Sequence, residues 1–253
     1  MKKESLFEII VPKIIKNRIN PEVSSINNFM NFVSTQVKNN DLILDAGAGD
    51  CQYKDLFIHA KYESTDFEDV FDQNFKDKHT FTCDLSNIPR KTNFYNVIIN
   101  TQVLEHVPEP QNVLNELYRV LKKNGKLFVT VPQCWGIHGK EPYNYFFFTK
   151  FGLEKMLKSA GFKIKFIRPR GGLFWLIGAL SVTLPMYIFH QHVFHLKGGK
   201  NQLNFNLKAL FIWPIYLVSI PLFVLIIPLI CYHLDFLDKK KKFTLGYECY
   251  CIK

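Results

Sequence analysis

No two of the six cysteines stand at CxxC spacing, so the chain has no sequence signature of a zinc cage. Scattered thiols of this kind fit a reducing compartment. Acidic residues are scarce, 22 against 32 lysines and arginines, for a formal net charge of +10. The excess is local: Lys158, Lys163, Lys165, Arg168 and Arg170 precede an oily region, and Lys239 to Lys242 follow it. Basic residues flanking apolar ones point to an anionic membrane surface before nucleic acid. No RNA-binding module signature accompanies them. The opening MKKESLFEII is basic, but Glu4 and Glu8 interrupt any apolar core, which speaks against a signal peptide. Cys251 is third from the end and so forms no prenylation box.

What is present reads as one α/β domain with an addition. Phe7, Ile10, Val11, Ile14 and Ile15 recur at helical spacing, with Pro12 starting or kinking the helix. Such a stripe marks a core-facing helix more often than a membrane anchor. A second helix is predicted from Pro21 to Val37. LILD (42–45), YNVIIN (95–100) and KLFVTVP (126–132) are apolar runs without strict alternation, as in parallel strands buried on both faces. Between the last two, Val113, Leu114, Leu117, Val120 and Leu121 make one helix face, and Gly125 is placed to stop that helix. KYESTD and HTFTCD read as two further strands, each ending in aspartate. A helix capped by Thr149 turns Leu153, Met156, Leu157 and Ala160 inward and stops at Gly161 before the strand FKIKFI. Alternating strands and helices predict a doubly wound α/β fold.

The sharpest local signal is LILDAGAGDCQ, a buried strand running into a glycine turn. Gly47 and Gly49 leave room where a ligand approaches backbone amides. The dinucleotide fingerprint needs a third glycine where this chain has Gln52, which disfavours a nicotinamide or flavin site.

These residues carry a resemblance. Asp45-Ala46-Gly47-Ala48-Gly49, Asp66 closing the second strand, Asp84-Leu85 after the third, and VLEHVPEP followed by LNELYRVLKKNGKLFVTVP are together similar to class I S-adenosylmethionine-dependent methyltransferases of the small-molecule type, over roughly residues 40 to 168. The resemblance implies a Rossmann-like, doubly wound seven-stranded sheet and S-adenosylmethionine as cofactor. Asp45, Gly47 and Gly49 would line its methionine end, Asp66 its ribose hydroxyls, and Asp84 its adenine amino group, with Leu85 beside the ring. Cys51 departs from the pattern, which often has a third glycine there. His106 and His138 are the candidate bases for an acceptor that must lose a proton. In HGKEPYNYFFFT, Asn144 and Phe147 replace the usual Asp and Arg, leaving Tyr143, Tyr145 and Phe146 to Phe148 as a mainly aromatic wall. His190, His192 and His195 form an HxHxxH better read as interfacial than as a metal site.

Gly171 to Leu196 and Ala209 to Leu234 contain no charged residue. Each would reach about 39 Å as a helix, against a hydrocarbon core of roughly 30 Å. The second has sixteen Leu, Ile, Val and Phe residues, partly offset by Pro214, Pro221 and Pro228. A class I sheet closes with an antiparallel strand, and TLGYECYCIK suits it. The oily region is then an insertion between strands 6 and 7, with both ends on one side of any membrane. Two spans, a hairpin in one leaflet and a soluble helical lid all satisfy that condition. The expected organisation is N-terminal helices at 1–38, a methyltransferase domain at 39–170 plus 243–253, and a hydrophobic membrane-associated helical insertion at 171–242. The expected activity is methylation of a small or lipid-linked acceptor, such as an envelope glycan or lipid precursor, at the cytoplasmic membrane face. A quinone-type C-methyltransferase and a non-catalytic, membrane-tethered cofactor-binding module are the rivals.

Overall fold

The computed structural model describes residues 18–67, 79–136, 142–197, 200–203, 214–215 and 217–253. They divide into two compact units, Ile26–Arg170 with Leu245–Lys253, and the described part of Met1–Ser25 with Gly171–Thr244. The stripe Phe7 to Ile15 lies outside the described residues.

The first unit is built on a seven-stranded sheet. Its strands are β1 (Leu42–Ala46), β2 (Lys61–Asp66), β3 (Phe81–Thr82), β4 (Tyr95–Thr101), β5 (Leu121–Pro132), β6 (Lys163–Pro169) and, after the second unit, β9 (Gly246–Ile252). The spatial order is β3-β2-β1-β4-β5-β9-β6. β1 to β5 run parallel, and β9 lies antiparallel between β5 and β6. The seven-stranded, doubly wound sheet is therefore as expected, although β3 is only two residues long where HTFTCD promised six.

Burial on both faces explains why the strands lack alternation. Leu44, Ile98, Leu127 and Val129 pack with Val113, Leu114, Leu117 and Val120 of helix α2 (Pro110–Val120) and with Leu153 and Leu157 of α3 (Lys150–Ser159). On the opposite face Ile43, Val97, Ile99 and Phe128 meet Ile26, Phe29, Met30 and Val33 of α1 (Pro21–Gln36). That helix, grouped above with the N-terminal residues 1–38, thus packs into the core of the α/β unit. The Thr149 hydroxyl accepts the Gly152 N–H at 3.1 Å, the N-cap read from the sequence.

The stop of α2 differs from expectation. The helix ends at Val120, and Leu121 turns extended to pair with Tyr95. The left-handed residue is Asn124 (φ 62). Gly125 serves a tight turn instead, since a Cβ there would lie 2.7 Å from the Lys122 carbonyl oxygen.

The second unit holds α4 (Leu173–Val193), the short strands β7 (Phe194–Lys197) and β8 (Lys200–Leu203), a π-helical segment at Pro221–Ile226, and α5 (Ile227–Leu234). Helix α4 and the π/α5 segment run antiparallel. Asp235 Oδ1 accepts the Gly172 and Trp175 N–H groups, both at 3.0 Å, and Asp238 Oδ2 accepts the Leu173 N–H at 2.8 Å. Two aspartates that follow α5 therefore cap the start of α4. Further along, a Cβ on Gly178 would stand 3.2 Å from Cys231 Cβ and 3.3 Å from Pro228 Cα, so glycine permits the close approach. The π register leaves a specific orphan. Ile227 N–H bonds Leu222 O, and the next bond of that ladder would need an N–H from Pro228, which has none. The carbonyl so freed, on Phe223, accepts the Ser181 hydroxyl of α4 at 2.9 Å.

Closure of the sheet depends on Gly246. A Cβ there would meet the Val131 carbonyl oxygen at 2.0 Å and Pro132 Cα at 2.9 Å. Its own carbonyl accepts the Arg170 N–H at 2.8 Å. Gly246→Ala should therefore destabilise the protein by about 1–3 kcal/mol. Thermal melting checks this, and an unchanged midpoint would show that β9 does not approach β5 this closely.

Candidate active site

The strand order reverses between β1 and β4, and open α/β sheets bind ligands beyond the carboxyl ends of the strands at such a point. A cavity of about 220 Å³ opens there, lined by Asp45, Gly47, Ala48, Gly49, Asp50, Gln52, Tyr53, Thr101 and Gln102. Sequence and topology agree on the place.

The turn after β1 is held by β2. Gly47 and Ala48 N–H both donate to Thr65 O, at 2.9 and 3.0 Å. Gly47 has φ 82, and a Cβ there would lie 2.3 Å from Val103 Cγ2. Glycine at 47 thus answers to Val103 and to the left-handed backbone, and it also lines the cavity. At Gly49 a Cβ would meet nothing within 4 Å, so open space lies beside the turn. Cys51, where the resemblance implies glycine, is itself left-handed (φ 58), which is the physical reason glycine suits that position.

Asp45 and Asp66 are both buried. Tyr62 Oη donates to Asp45 Oδ2 at 2.5 Å. Burial pushes the Asp45 carboxyl up to about 7, against the pull of that hydrogen bond, and the neighbouring charge of Asp66 adds to the rise. Gly49 N–H donates to Asp66 Oδ2 and Phe67 N–H to Oδ1, each at 2.7 Å. Burial raises the Asp66 carboxyl too, and these two bonds oppose it. His79 Nε2 stands 2.7 Å from the Gly49 carbonyl oxygen. A carbonyl only accepts, so Nε2 carries the proton.

Asp84 is exposed and accepts the Ser86 N–H at 2.8 Å, an Asx turn. Its strand end is tied to the site by Cys83 N–H donating to Asp66 O at 3.2 Å. Leu85 is buried in the core cluster with Leu104 and Leu114. His106 lies in a 3-10 turn, Leu104–His106, directly after β4. Its Nδ1 is 2.6 Å from Tyr143 O, so the neutral ring keeps its lone pair on Nε2, which is 4.0 Å from Glu105 Oε1. The Glu105 carbonyl accepts Tyr145 N–H at 2.7 Å and Phe146 N–H at 3.3 Å. The aromatic segment is thereby fastened beside His106, with Tyr145, Phe146 and Phe147 exposed and Phe148 buried. His138 lies outside the described residues, as do the side chains of His190, His192 and His195. Among the described residues no cluster of His, Cys, Asp and Glu could hold a metal ion.

The family model for a methyltransferase domain matches residues 44–129, from β1 through most of β5. Over those residues the chain carries a methyltransferase domain of the S-adenosylmethionine-dependent class I kind. No curated protein matches it. Among solved structures, the [4+2]-cyclase SpnF superposes with TM-score 0.55 at 18% identity, over 89% of this chain and 80% of that one. An S-adenosylmethionine-dependent methyltransferase from Methanosarcina mazei superposes with TM-score 0.50 at 12% identity, over 88% and 96%. At these identities the likeness is one of fold.

The cofactor of the methyltransferase is S-adenosylmethionine, and the cavity fits one end of it. A buried carboxyl poised near neutrality suits the ammonium and sulfonium charges of the methionine part, and Gly49 leaves space beside it. At about 220 Å³ the cavity is smaller than the roughly 300 Å³ at which ligand pockets usually begin, and has room for part of such a cofactor.

Sequence reasoning missed Tyr62, His79, Glu105 and Gln102. The last is left-handed (φ 55), and its side-chain amide donates to Thr130 Oγ1 at 3.1 Å. Nothing local marks these residues, because each acts through a partner that the sheet brings to it.

The raised Asp45 carboxyl has a consequence for stability. Its folded pKa lies above the unfolded value of 3.8, so its contribution is complete below that value, falls as pH rises through about 7, and is absent above it. Asparagine cannot ionise and still accepts from Tyr62. Without cofactor, Asp45→Asn should melt at least about 2 °C above the parent at about pH 8, and lose that advantage at about pH 4. Its affinity for S-adenosylmethionine should fall. A parent that melts higher at both pH values would show that Asp45 is not held in a destabilised state.

Proposed function

We propose that this methyltransferase acts on a small or lipid-linked acceptor, such as an envelope glycan or lipid precursor, at the cytoplasmic face of a membrane. The observation that carries the membrane part is Leu217–Leu237, 21 residues long and apolar enough to cross a bilayer by length and composition. Its side chains are largely exposed, Val218 at 75% and Ile230 at 53%. Lipid is the solvent that such a surface suits. Residues 171–242 are the membrane-associated helical insertion, and 39–170 with 243–253 carry the chemistry.

In this reading Asp45, Gly47 and Gly49 hold the methionine end, Asp66 the ribose, and Asp84 the adenine amino group, with Leu85, mostly buried in the core cluster, beside the ring. Bound S-adenosylmethionine supplies a methyl group made electrophilic by its sulfonium. The chain has to orient an acceptor against it and take up a proton where the acceptor is a hydroxyl or amine. His106 suits the second task, because its Nδ1–H is fixed on Tyr143 O and Nε2 is the basic nitrogen. The exposed rings of Tyr145, Phe146 and Phe147 beside it favour a second reading, a flat quinone-type acceptor methylated on carbon.

Turnover of methyl-labelled cofactor with a membrane extract, followed by product mass, tests both readings. His106→Ala should keep cofactor affinity and lose roughly a hundredfold in turnover where proton removal limits the rate. Parent-like turnover would exclude His106 as the base. Replacing Leu173–Lys241 by a short Gly-Ser turn should yield a soluble protein that still binds S-adenosylmethionine. If that variant remains in the membrane pellet, the anchor lies elsewhere.

A further inference from the structure

We propose that the end of the second unit where α4 begins and α5 ends is a docking surface for the anionic headgroups of a phospholipid leaflet. The proposal rests on the membrane reading above and adds which lipid chemistry is taken, and by which residues.

The argument begins with the acids. Asp235 and Asp238 are the acidic residues beside the run Lys239 to Lys242, and both are engaged inward. Asp235 is only 5% exposed; it accepts from the Gly172 and Trp175 amides and pairs with Lys241 Nζ at 3.2 Å. Asp238 accepts from the Leu173 amide with one oxygen and from the Lys241 amide, at 3.0 Å, with the other. The carboxylates that would neutralise the run thus complement the helix start, and one lysine of the four is taken by them. Lys239 and Lys240 are exposed. Their ammonium groups form no ion pair among the described residues. Arg18 adds a third cation at this end, its guanidinium 5.6 Å from the Tyr232 ring centroid.

Apolar side chains interleave with these cations. Phe236 is 73% exposed, Leu237 55% and Phe243 57%. Exposed aromatic and aliphatic groups next to lysines, at the end of an apolar helix pair, match the composition of a membrane interface, where rings sit at headgroup depth and ammonium groups reach phosphates. A nucleic acid would use the cations and leave Phe236, Leu237 and Phe243 in water. An anionic leaflet engages both sets.

The test is flotation of the full-length protein with vesicles of phosphatidylcholine alone and of phosphatidylcholine with phosphatidylglycerol. The expected result is tighter association with the anionic vesicles, and an advantage that shrinks as salt is raised. Lys239→Gln and Lys240→Gln should each weaken binding to the anionic vesicles about five-fold and together about 25-fold, at about 1 kcal/mol per basic residue near the surface. Binding to neutral vesicles and affinity for S-adenosylmethionine should not change. Equal partition into both vesicle types, or an unchanged double variant, overturns the headgroup site while leaving the membrane reading in place. Failure to float with either vesicle overturns both, and so does self-association that persists when vesicles are added.

Discussion

The sheet of the α/β unit is complete only when Gly246 reaches the Val131 carbonyl, because no residue with a side chain fits where β9 enters between β5 and β6. That entry needs the chain to return after some 76 residues, from Arg170 to Gly246. Closing so long a loop costs entropy that grows only slowly with its length. The antiparallel ladders from Lys126↔Ile252 to Pro132↔Gly246 on one side, and from Lys163↔Ile252 to Pro169↔Tyr247 on the other, offset it. Without β9, both β5 and β6 would present open edges. The capped base of the helix pair, Asp235 and Asp238 on the amides of 172 to 175, brings the two ends of the loop together within its own unit and so lowers the entropy left to be lost.

Electrostatics at the switch point work in the opposite sense. A buried carboxyl held near neutrality by burial, with Tyr62 as its hydrogen-bond donor, is an unstable arrangement in the absence of a cation. Stabilising it in the free protein would weaken its response to a positively charged ligand. The turn after β1 repeats the pattern in its backbone: Gly47, Gly49 and Cys51 are all left-handed within five residues, and one of them is not glycine. The strain is held by bonds from outside the turn, namely Thr65 O on the Gly47 and Ala48 amides, Asp66 on the Gly49 amide and His79 on the Gly49 carbonyl.

Those external bonds also mark the limit of what the sequence discloses. Runs such as YNVIIN announce doubly buried strands, and Thr149 announces its helix, because the cause lies within a few residues of the effect. The aspartates at the ends of β1 and β2 are legible for the same reason, as the residues on either side of a strand-to-turn transition. Tyr62 on Asp45 is not, since it requires the β1–β2 register, and Glu105 beneath the aromatic segment requires a contact 40 residues along the chain. Gly47 showed only its ligand side because its packing neighbour, Val103, comes from the turn after β4. Gly125 looked like a helix stop because a strand beginning at Leu121 is a decision made by Tyr95 across the sheet. In each case the local pattern was right about the residue type and silent about the partner.

The helix pair shows how a neighbouring helix can repair a ladder that proline has broken. Prolines weaken an apolar helix by freeing carbonyls, and in hydrocarbon a freed carbonyl costs several kcal/mol. Here the π register and Pro228 together free the carbonyl of Phe223, and the single hydroxyl hydrogen of Ser181 is shared between that carbonyl and Gly178 O of its own helix. Gly178, three residues before Ser181, removes the side chain that would have held the two backbones apart. One glycine and one serine, unremarkable in composition, therefore convert a proline-interrupted segment into one whose broken ladder is repaired from the neighbouring helix. The repair requires the two helices to associate, so the pair is more suitable for an apolar medium than either helix alone.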